Sequence, residues 1–378
     1  MSTDTALIEK REELKRRLAA GEYKTLVDAI LAWTNGVIQK ISRRSKPLPI
    51  WLITVILSLV LGLVLSAGIY IAGDWTLFRN FFELTFGFRP SALSVSLLMI
   101  LGSVSGIASV VIINQYIKRI FALWHNQVLD ATESVVSLDE FEYWLDLVCN
   151  RRLQLLWTIV GGLLSGLNLV AVINAQLGLI LDYGFIFTII IANMLGWPLV
   201  YLLLAVVVLS AKLRRYDLKL FASDPSSSEL VSHLSSELGF FVYYVGVYAA
   251  IVTLVFALSG ILLSFGILLV LLYWLPITAI FILNQTSLSS IIRRAKWKTL
   301  NEIQAKVEKL QSMQNFEDKE TMEAINRLMD YHDRVKETRN SAIDLSTILN
   351  FINSLLLPLL AFILGNLDLV LNLFARKP

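Results

Sequence analysis

Cysteine is nearly absent from this chain. Cys149 stands alone among 378 residues, so no intrachain disulfide can form and no oxidised framework holds the fold. Charge is scarce as well. Asp, Glu, Lys and Arg together make 17% of the sequence, against about a quarter in a soluble domain. The scarcity is also concentrated: six long apolar stretches contain no Asp, Glu, Lys, Arg or His. Ion-coupled transport, intramembrane proteolysis and lipid hydrolysis all need an ionisable group at bilayer depth, so this blank argues against each of them. No phosphate-binding glycine loop, zinc ligand set or nucleophile elbow occurs, and His125, His233 and His332 lack a second ligand at metal spacing. No catalytic residue, cofactor or metal site is expected, and an enzyme is the poorest reading. The net charge of +3 gives no reason to expect a nucleic-acid partner. The opening residues MSTDTALIEKREELKRRL lack the apolar core and small-residue cleavage site of a signal peptide, so the later helices are expected to drive insertion.

The composition that remains is apolar: 56% of residues are hydrophobic. They fall in segments Leu48–Ala72, Ala92–Asn114, Leu153–Asn174, Gly184–Ala211, Leu238–Leu258 and Ile261–Leu283, each long enough to cross about 30 Å of hydrocarbon at 1.5 Å per residue. A seventh, Leu345–Leu367, is expected either to span or to re-enter. Of the 33 Lys and Arg residues, 29 lie in residues 1–49, 115–152, 212–237 and 286–345. The excess of positive charge on cytoplasmic loops then places the amino terminus in the cytoplasm, in a bacterial inner membrane or a plasma membrane. The fold class is all-α: a polytopic transmembrane helical bundle of six clear spans plus a seventh spanning or re-entrant helix, with a cytoplasmic antiparallel helical hairpin. It divides into charged amphipathic helices over 1–47, the bundle over 48–285, the hairpin over 286–344 and the last membrane helix and tail over 345–378.

Before the first span, two helices are expected to part at Gly21. The second gathers apolar residues near one face, with Trp33 as a candidate anchor at headgroup level; a helix packed on its own protein fits the pattern equally. The 115–152 connection is expected to extend the second span and restart at the capping-box sequence Ser137-Leu-Asp-Glu140. Its six acids, Asp130, Glu133, Asp139, Glu140, Glu142 and Asp146, read as a solvated helix face, because no calcium-loop spacing accompanies them. In the serine-rich loop before Glu229, Ser226 to Ser228 could cap the following helix. Beyond the sixth span, Leu300, Ile303, Val307 and Leu310 and then Met322, Ile325, Met329 and His332 keep the 3-4-3 spacing of a two-helix seam. Its first helix is expected to continue the sixth span.

Small residues at four-residue spacing let helix backbones approach closely. Gly102 and Gly106, and Gly161, Gly162 and Gly166, are candidates for such packing, within one protomer or between subunits. In the last segment Ser346, Asn350, Asn353, Ser354 and Gly365 share an arc that also carries Thr347 and Asp368. Neutral polar groups in hydrocarbon must face protein or water, so the stripe suits either a pore lining or a buried packing face.

A cytoplasmic amino terminus, seven hydrophobic helices, a polar-striped last helix and a cytoplasmic helical bundle together resemble the plan of the seven-helix insect chemoreceptor channels. That resemblance implies a homo-oligomer whose last helix lines a pore. Two further functions fit the residues: a non-conducting scaffold or sensor that recruits a cytosolic protein partner, and an uncoupled carrier of a neutral solute. The lipid bilayer is a partner in all three.

Overall fold

The computed structural model describes residues 3–43, 46–72, 79–80, 83, 91–177, 183–259, 263–313 and 319–341, with backbone alone for 71–72, 92, 98, 172, 176–177, 248–259, 263–276 and 313. Helices account for nearly all of them: α1 (Thr3–Ala19), α2 (Leu26–Ser42), α3 (Ile50–Ala72), α4 (Ala92–Leu123), α5 (Val135–Cys149), α6 (Arg151–Leu177), α7 (Tyr183–Leu213), α8 (Glu229–Ser259), α9 (Leu263–Met313) and α10 (Lys319–Glu337). Among the described residues the only extended pairing is an isolated bridge between Thr132 and Leu218.

Among the described residues, four helical stretches are long and apolar enough to cross a membrane: Ile50–Tyr70, Leu93–Ala131, Arg151–Ala175 and Tyr183–Leu213. Their outward faces are those of a membrane protein. Leu59, Val60, Leu63 and Val64 on α3, and Leu156, Leu163, Leu164 and Leu167 on α6, stand exposed. An apolar surface that continuous is unfavourable in water and ordinary in lipid. The fifth apolar segment lies within α8, and the described part of the sixth, from Leu263, lies within α9, in large part where backbone alone is described; Leu345–Leu367 lies outside the described residues.

The packing centres on α7, which touches α3, α4, α6 and α9. Its tightest partner is α6. A Cβ built on Gly161 would sit 2.4 Å from the Trp197 ring, one on Gly162 would sit 2.6 Å from Met194 Cα, and one on Gly166 would sit 2.9 Å from Ile190 Cα. Glycine lets the two backbones close to that distance. Across the same contact Trp197 Nε1 donates to Ser165 Oγ at 2.8 Å, and Ser165 Oγ donates to Asn193 Oδ1 at 3.2 Å. Among the described residues, Gly102 and Gly106 on α4 meet nothing within 4 Å of the corresponding Cβ positions.

At one end of the bundle lies a polar layer made of α1, α5, the 214–218 loop and residues 288–298 of α9. Helix α4 enters it through a π-helical turn, Trp124–Val128, and a last helical turn, Leu129–Ala131. The layer's centre is aromatic. Trp124 stacks on Phe141 and Phe141 on Trp144 at centroid distances of 5.3 and 5.7 Å. Buried Trp144 donates from Nε1 to Ala205 O at 2.7 Å, which ties the layer to α7.

One sequence expectation is extended in this layer and a second is corrected. The first concerns the acids of 115–152: Asp130, Glu133, Asp139 and Asp146 do face solvent, and five of the six acids are also ion-paired. Lys15 meets Asp130 and Arg17 meets Glu142, both at 2.5 Å; Lys10 meets Asp139 and Glu142, Lys298 meets Glu133, and Arg215 meets Glu140 at 3.6 Å. Most of the cations come from α1, more than a hundred residues away in sequence. The second concerns Ser137, which does not cap α5. The helix begins at Val135 after extended Ser134, and Ser137 lies inside it, its Oγ accepting from Asp217 N at 3.2 Å.

Helix α9 runs unbroken from Leu263 to Met313. On its far half Ile303 and Val307 form a small core with Ile325 of α10. Lys296 Nζ donates to Lys336 O and Thr338 O at 2.7 Å and to Asn340 Oδ1 at 3.0 Å. Ahead of α8, Asp224 caps a 3-10 turn, Pro225–Ser227, by accepting from Ser226 N. Ser228 then precedes Glu229, the first residue of α8.

Candidate functional site

Where α2 meets the polar ends of α3 and α4, the chain leaves a cleft of about 640 Å³, within the range of small-molecule sites. Local chemistry sets its shape. Helix α1 ends in a Schellman closure, Gly21 N donating to Leu18 O and Glu22 N to Arg17 O, with Gly21 at φ +64°. A side chain there would oppose the left-handed backbone. The chain turns back at that glycine, and α2 starts from a capping box in which Thr25 and Asp28 each satisfy the other's backbone N–H.

That box is also the hub of a buried polar junction. Thr25 Oγ1 donates to Asn114 Oδ1 at 2.7 Å, Asn114 Nδ2 donates to Asp28 Oδ1 at 2.8 Å, and Lys118 Nζ lies 2.6 Å from the same oxygen. Leu26 N donates to Gln154 Oε1 at 2.8 Å, and Gln154 Nε2 donates to Val148 O. Asn114, Thr25 and Gln154 are buried. Removing any one partner would leave polar groups unsatisfied away from water, at roughly 1–3 kcal/mol for each. The junction therefore fixes α2 against α4 and α6. Helix α2 packs on its own protein through Val27, Leu31 and Thr34, and Trp33 on another side is 70% exposed.

The cleft walls combine two kinds of surface. Leu31, Leu48, Ile50, Ile53 and Phe121 form the apolar part; Tyr23, Lys24, Asp28, Asn35, Lys118, His125 and Asn126 form the polar part. Among the described residues, Tyr23 Oη and His125 Nδ1 in this lining are buried and find no hydrogen-bond partner. Burial pushes the Tyr23 phenol above its ordinary pKa, nearby Asp146 and Glu142 add to this, and Arg17 over its ring opposes it. The group stays protonated. His125 and Asn126 belong to the π turn, an element that recurs at functional sites because it re-aims side chains within a helix. On that turn's other side Gln127 bonds His233, Oε1 to Nδ1, at 2.7 Å.

A second cavity, of about 630 Å³, lies deeper between α2, α3, α4, α6 and α7. Apart from Thr158 its lining is apolar, including Leu31, Leu57, Val64, Ile107, Met194 and Pro198. Leu31 borders both spaces.

The sequence-derived candidates are distributed as follows. Gly161, Gly162 and Gly166 lie at the α6–α7 contact, Gly102 and Gly106 at an open face, and Trp33 on the exposed side of α2. Ser346, Asn350, Asn353, Ser354 and Gly365 lie outside the described residues. No group of three or more His, Cys, Asp or Glu residues able to hold a metal ion occurs among the described residues. The cleft itself was not anticipated. Its one signal in the sequence was Asp28, a lone carboxylate inside the apolar run LVDAILAW.

No protein-family model, curated protein or solved structure matches this chain.

Proposed function

We propose that this protein is a non-catalytic, multi-pass membrane sensor whose amino terminus and polar layer are cytosolic, and that it transmits occupancy of the α2–α4 cleft to the polar layer. One observation carries the reading. A single π turn, Trp124–Val128, supplies cleft wall through His125 and stacks Trp124 on Phe141 in the layer's aromatic core. A ligand pressing on the turn therefore works against a packed core, and packed cores shift between discrete arrangements more readily than they deform continuously. The 29 basic residues gathered in four segments support the cytosolic side, with α8 and α9 as the fifth and sixth crossings. Residues 286–344, read as a helical hairpin, are the surface that would recruit a cytosolic protein.

The test needs no ligand. Lys118→Ala alters the cleft and does not touch α5. In lipid nanodiscs, hydrogen exchange over Val135–Cys149 is expected to rise in this variant relative to wild type. Changes confined to Leu26–Ser42 and the end of α4 would refute coupling. Labelling that put Lys10 and Lys309 on opposite faces of the membrane would refute the topology.

A second reading is a homo-oligomeric channel lined by the last segment. The neutral stripe of Ser346, Asn350, Asn353, Ser354 and Gly365 favours it, and the uncovered Gly102–Gly106 face offers a place for a neighbouring subunit. Ion flux in liposomes that is altered by Asn350→Leu with Asn353→Leu is its expected sign; a folded oligomer without flux counts against it.

A further inference from the structure

The cleft also carries information about what enters it. We infer that it is a binding site for a lipid with an anionic, phosphate-bearing headgroup drawn from the surrounding leaflet. This deepens the sensor reading by naming its ligand, and it rests on that reading's choice of site.

Position is the first argument. The floor of the cleft is the first turn of α3, at Ile50 and Ile53, where the first apolar helix begins. Four residues further along α3, about 6 Å, Leu57 opens the apolar cavity. The cleft thus sits at the boundary between headgroup and hydrocarbon. A water-soluble metabolite would find half of its walls apolar, whereas a lipid meets each wall with matching chemistry.

Charge is the second argument. Lys24 and Lys118 border the cleft, and Asp28 is the one carboxylate there. Asp28 binds Lys118 through a single oxygen at 2.6 Å, while the lysine side chain keeps 43% of its surface open. An ammonium has three donors, so this lysine is held in place with donors to spare. Basic recesses between helices near the cytosolic face of a membrane are the usual seats of anionic headgroups.

Two orphan atoms point the same way. Tyr23 is 8% exposed, and among the described residues neither its hydroxyl nor His125 Nδ1 has a hydrogen-bond partner. Buried polar atoms without partners are uncommon in folded proteins and each needs an explanation. A phosphate or ester oxygen seated against the Tyr23 wall supplies the missing acceptor there, and does the same at His125 in the tautomer that carries its proton on Nδ1. Beyond the head, a chain would run along Leu31 toward the five-helix cavity.

The experiment uses full-length protein in micelles doped equally with phosphatidylglycerol and phosphatidylcholine, with retained lipid counted by native mass spectrometry. Phosphatidylglycerol is expected to be retained preferentially. The double variant Lys24→Gln with Lys118→Gln should weaken its retention by about thirtyfold, from two lysine contacts of ordinary strength at a membrane surface. Ile50→Trp, at an exposed lining residue, narrows the cleft and leaves every charge in place, so it should abolish retention even if the double variant does not fold. Equal retention of the two lipids, or retention untouched by Ile50→Trp, overturns the assignment. Displacement of the lipid by millimolar inorganic phosphate alone would assign the site to a free anion instead. Lipid occupancy is read without reference to α5 exchange, so failure here leaves the coupling test standing, and the reverse.

Discussion

Two glycine substitutions of identical chemistry should move this protein in opposite directions. In Gly102→Ala the new methyl group meets nothing within 4 Å among the described residues. The substitution then reports helix propensity alone, a gain of about 1 kcal/mol. In Gly162→Ala the methyl group would stand 2.3 Å from Met194 Cγ and 2.6 Å from Met194 Cα. The second atom is backbone, so the helices must separate, at an overpacking cost of roughly 1–3 kcal/mol. Separation also stretches the Ser165–Asn193 and Trp197–Ser165 hydrogen bonds, worth about 1 kcal/mol each. With overpacking at about 2 kcal/mol, the two stretched bonds weakened by about 1 kcal/mol together and the propensity gain of about 1 kcal/mol set against them, Gly162→Ala should cost about 2 kcal/mol and the two variants should differ by about 3 kcal/mol. The chain supplies its own reporter. Cys149 is the sole thiol, and burial, with Asp28 and Asp146 nearby, pushes its pKa up to about 12. At neutral pH almost no thiolate exists in the folded protein, so a fluorogenic maleimide should label Cys149 on unfolding and scarcely before. Melting curves read this way in one detergent should rank Gly102→Ala, wild type and Gly162→Ala in descending order. Equal midpoints for the two variants would refute the close α6–α7 approach.

Three further outcomes follow from the polar layer. Trp144→Phe removes the side-chain donor to Ala205 O, which keeps its own helical N–H partner, and should lower stability by about 1 kcal/mol in the same melting assay. At Glu142 burial raises the carboxyl pKa, but the hydrogen bonds from Lys10 and Arg17 outweigh it and the net shift is downward. Its contribution is therefore complete above the unfolded value of about 4.3 and disappears as pH falls through the lower folded value; exchange protection of α1 should hold at pH 5.5 (about a unit above that value) and fail in stronger acid. Glu142→Gln should raise α1 exchange at neutral pH while Lys15–Asp130 and Lys10–Asp139 keep the helix docked, and unchanged α1 exchange in that variant would show that the pairs with Glu142 contribute nothing.

The helices were legible because apolar periodicity and the absence of charge act locally. The same holds for the glycine spacing at 161, 162 and 166, although nothing in that spacing named Trp197, Met194 and Ile190 as its partners. Contacts distant in sequence were not legible. The acids of 115–152 show their solvated face in the sequence but not their ion pairs, since the partners Lys10, Lys15 and Arg17 belong to a segment that composition treats as separate. Ser137 was misjudged for a different reason: the Ser-x-x-Glu pattern can occur inside a helix, and extended Ser134 had already begun α5. The cleft depends on a turn at Gly21 that carries Asp28 to Asn114 and Lys118, a juxtaposition no local pattern contains.

Helix α9 remains. Its 51 residues, Leu263–Met313, make a rod about 77 Å long at 1.5 Å per residue, against about 45 Å for a bilayer with its headgroups. Such a rod acts as a lever. A tilt of about 5° at one end sweeps the other through about 6–7 Å, more than a full helical turn. Because α7 grips α9 and α10 rides on the far arm through Ile303 and Val307, a displacement too small to break any contact in the bundle becomes large at its tip.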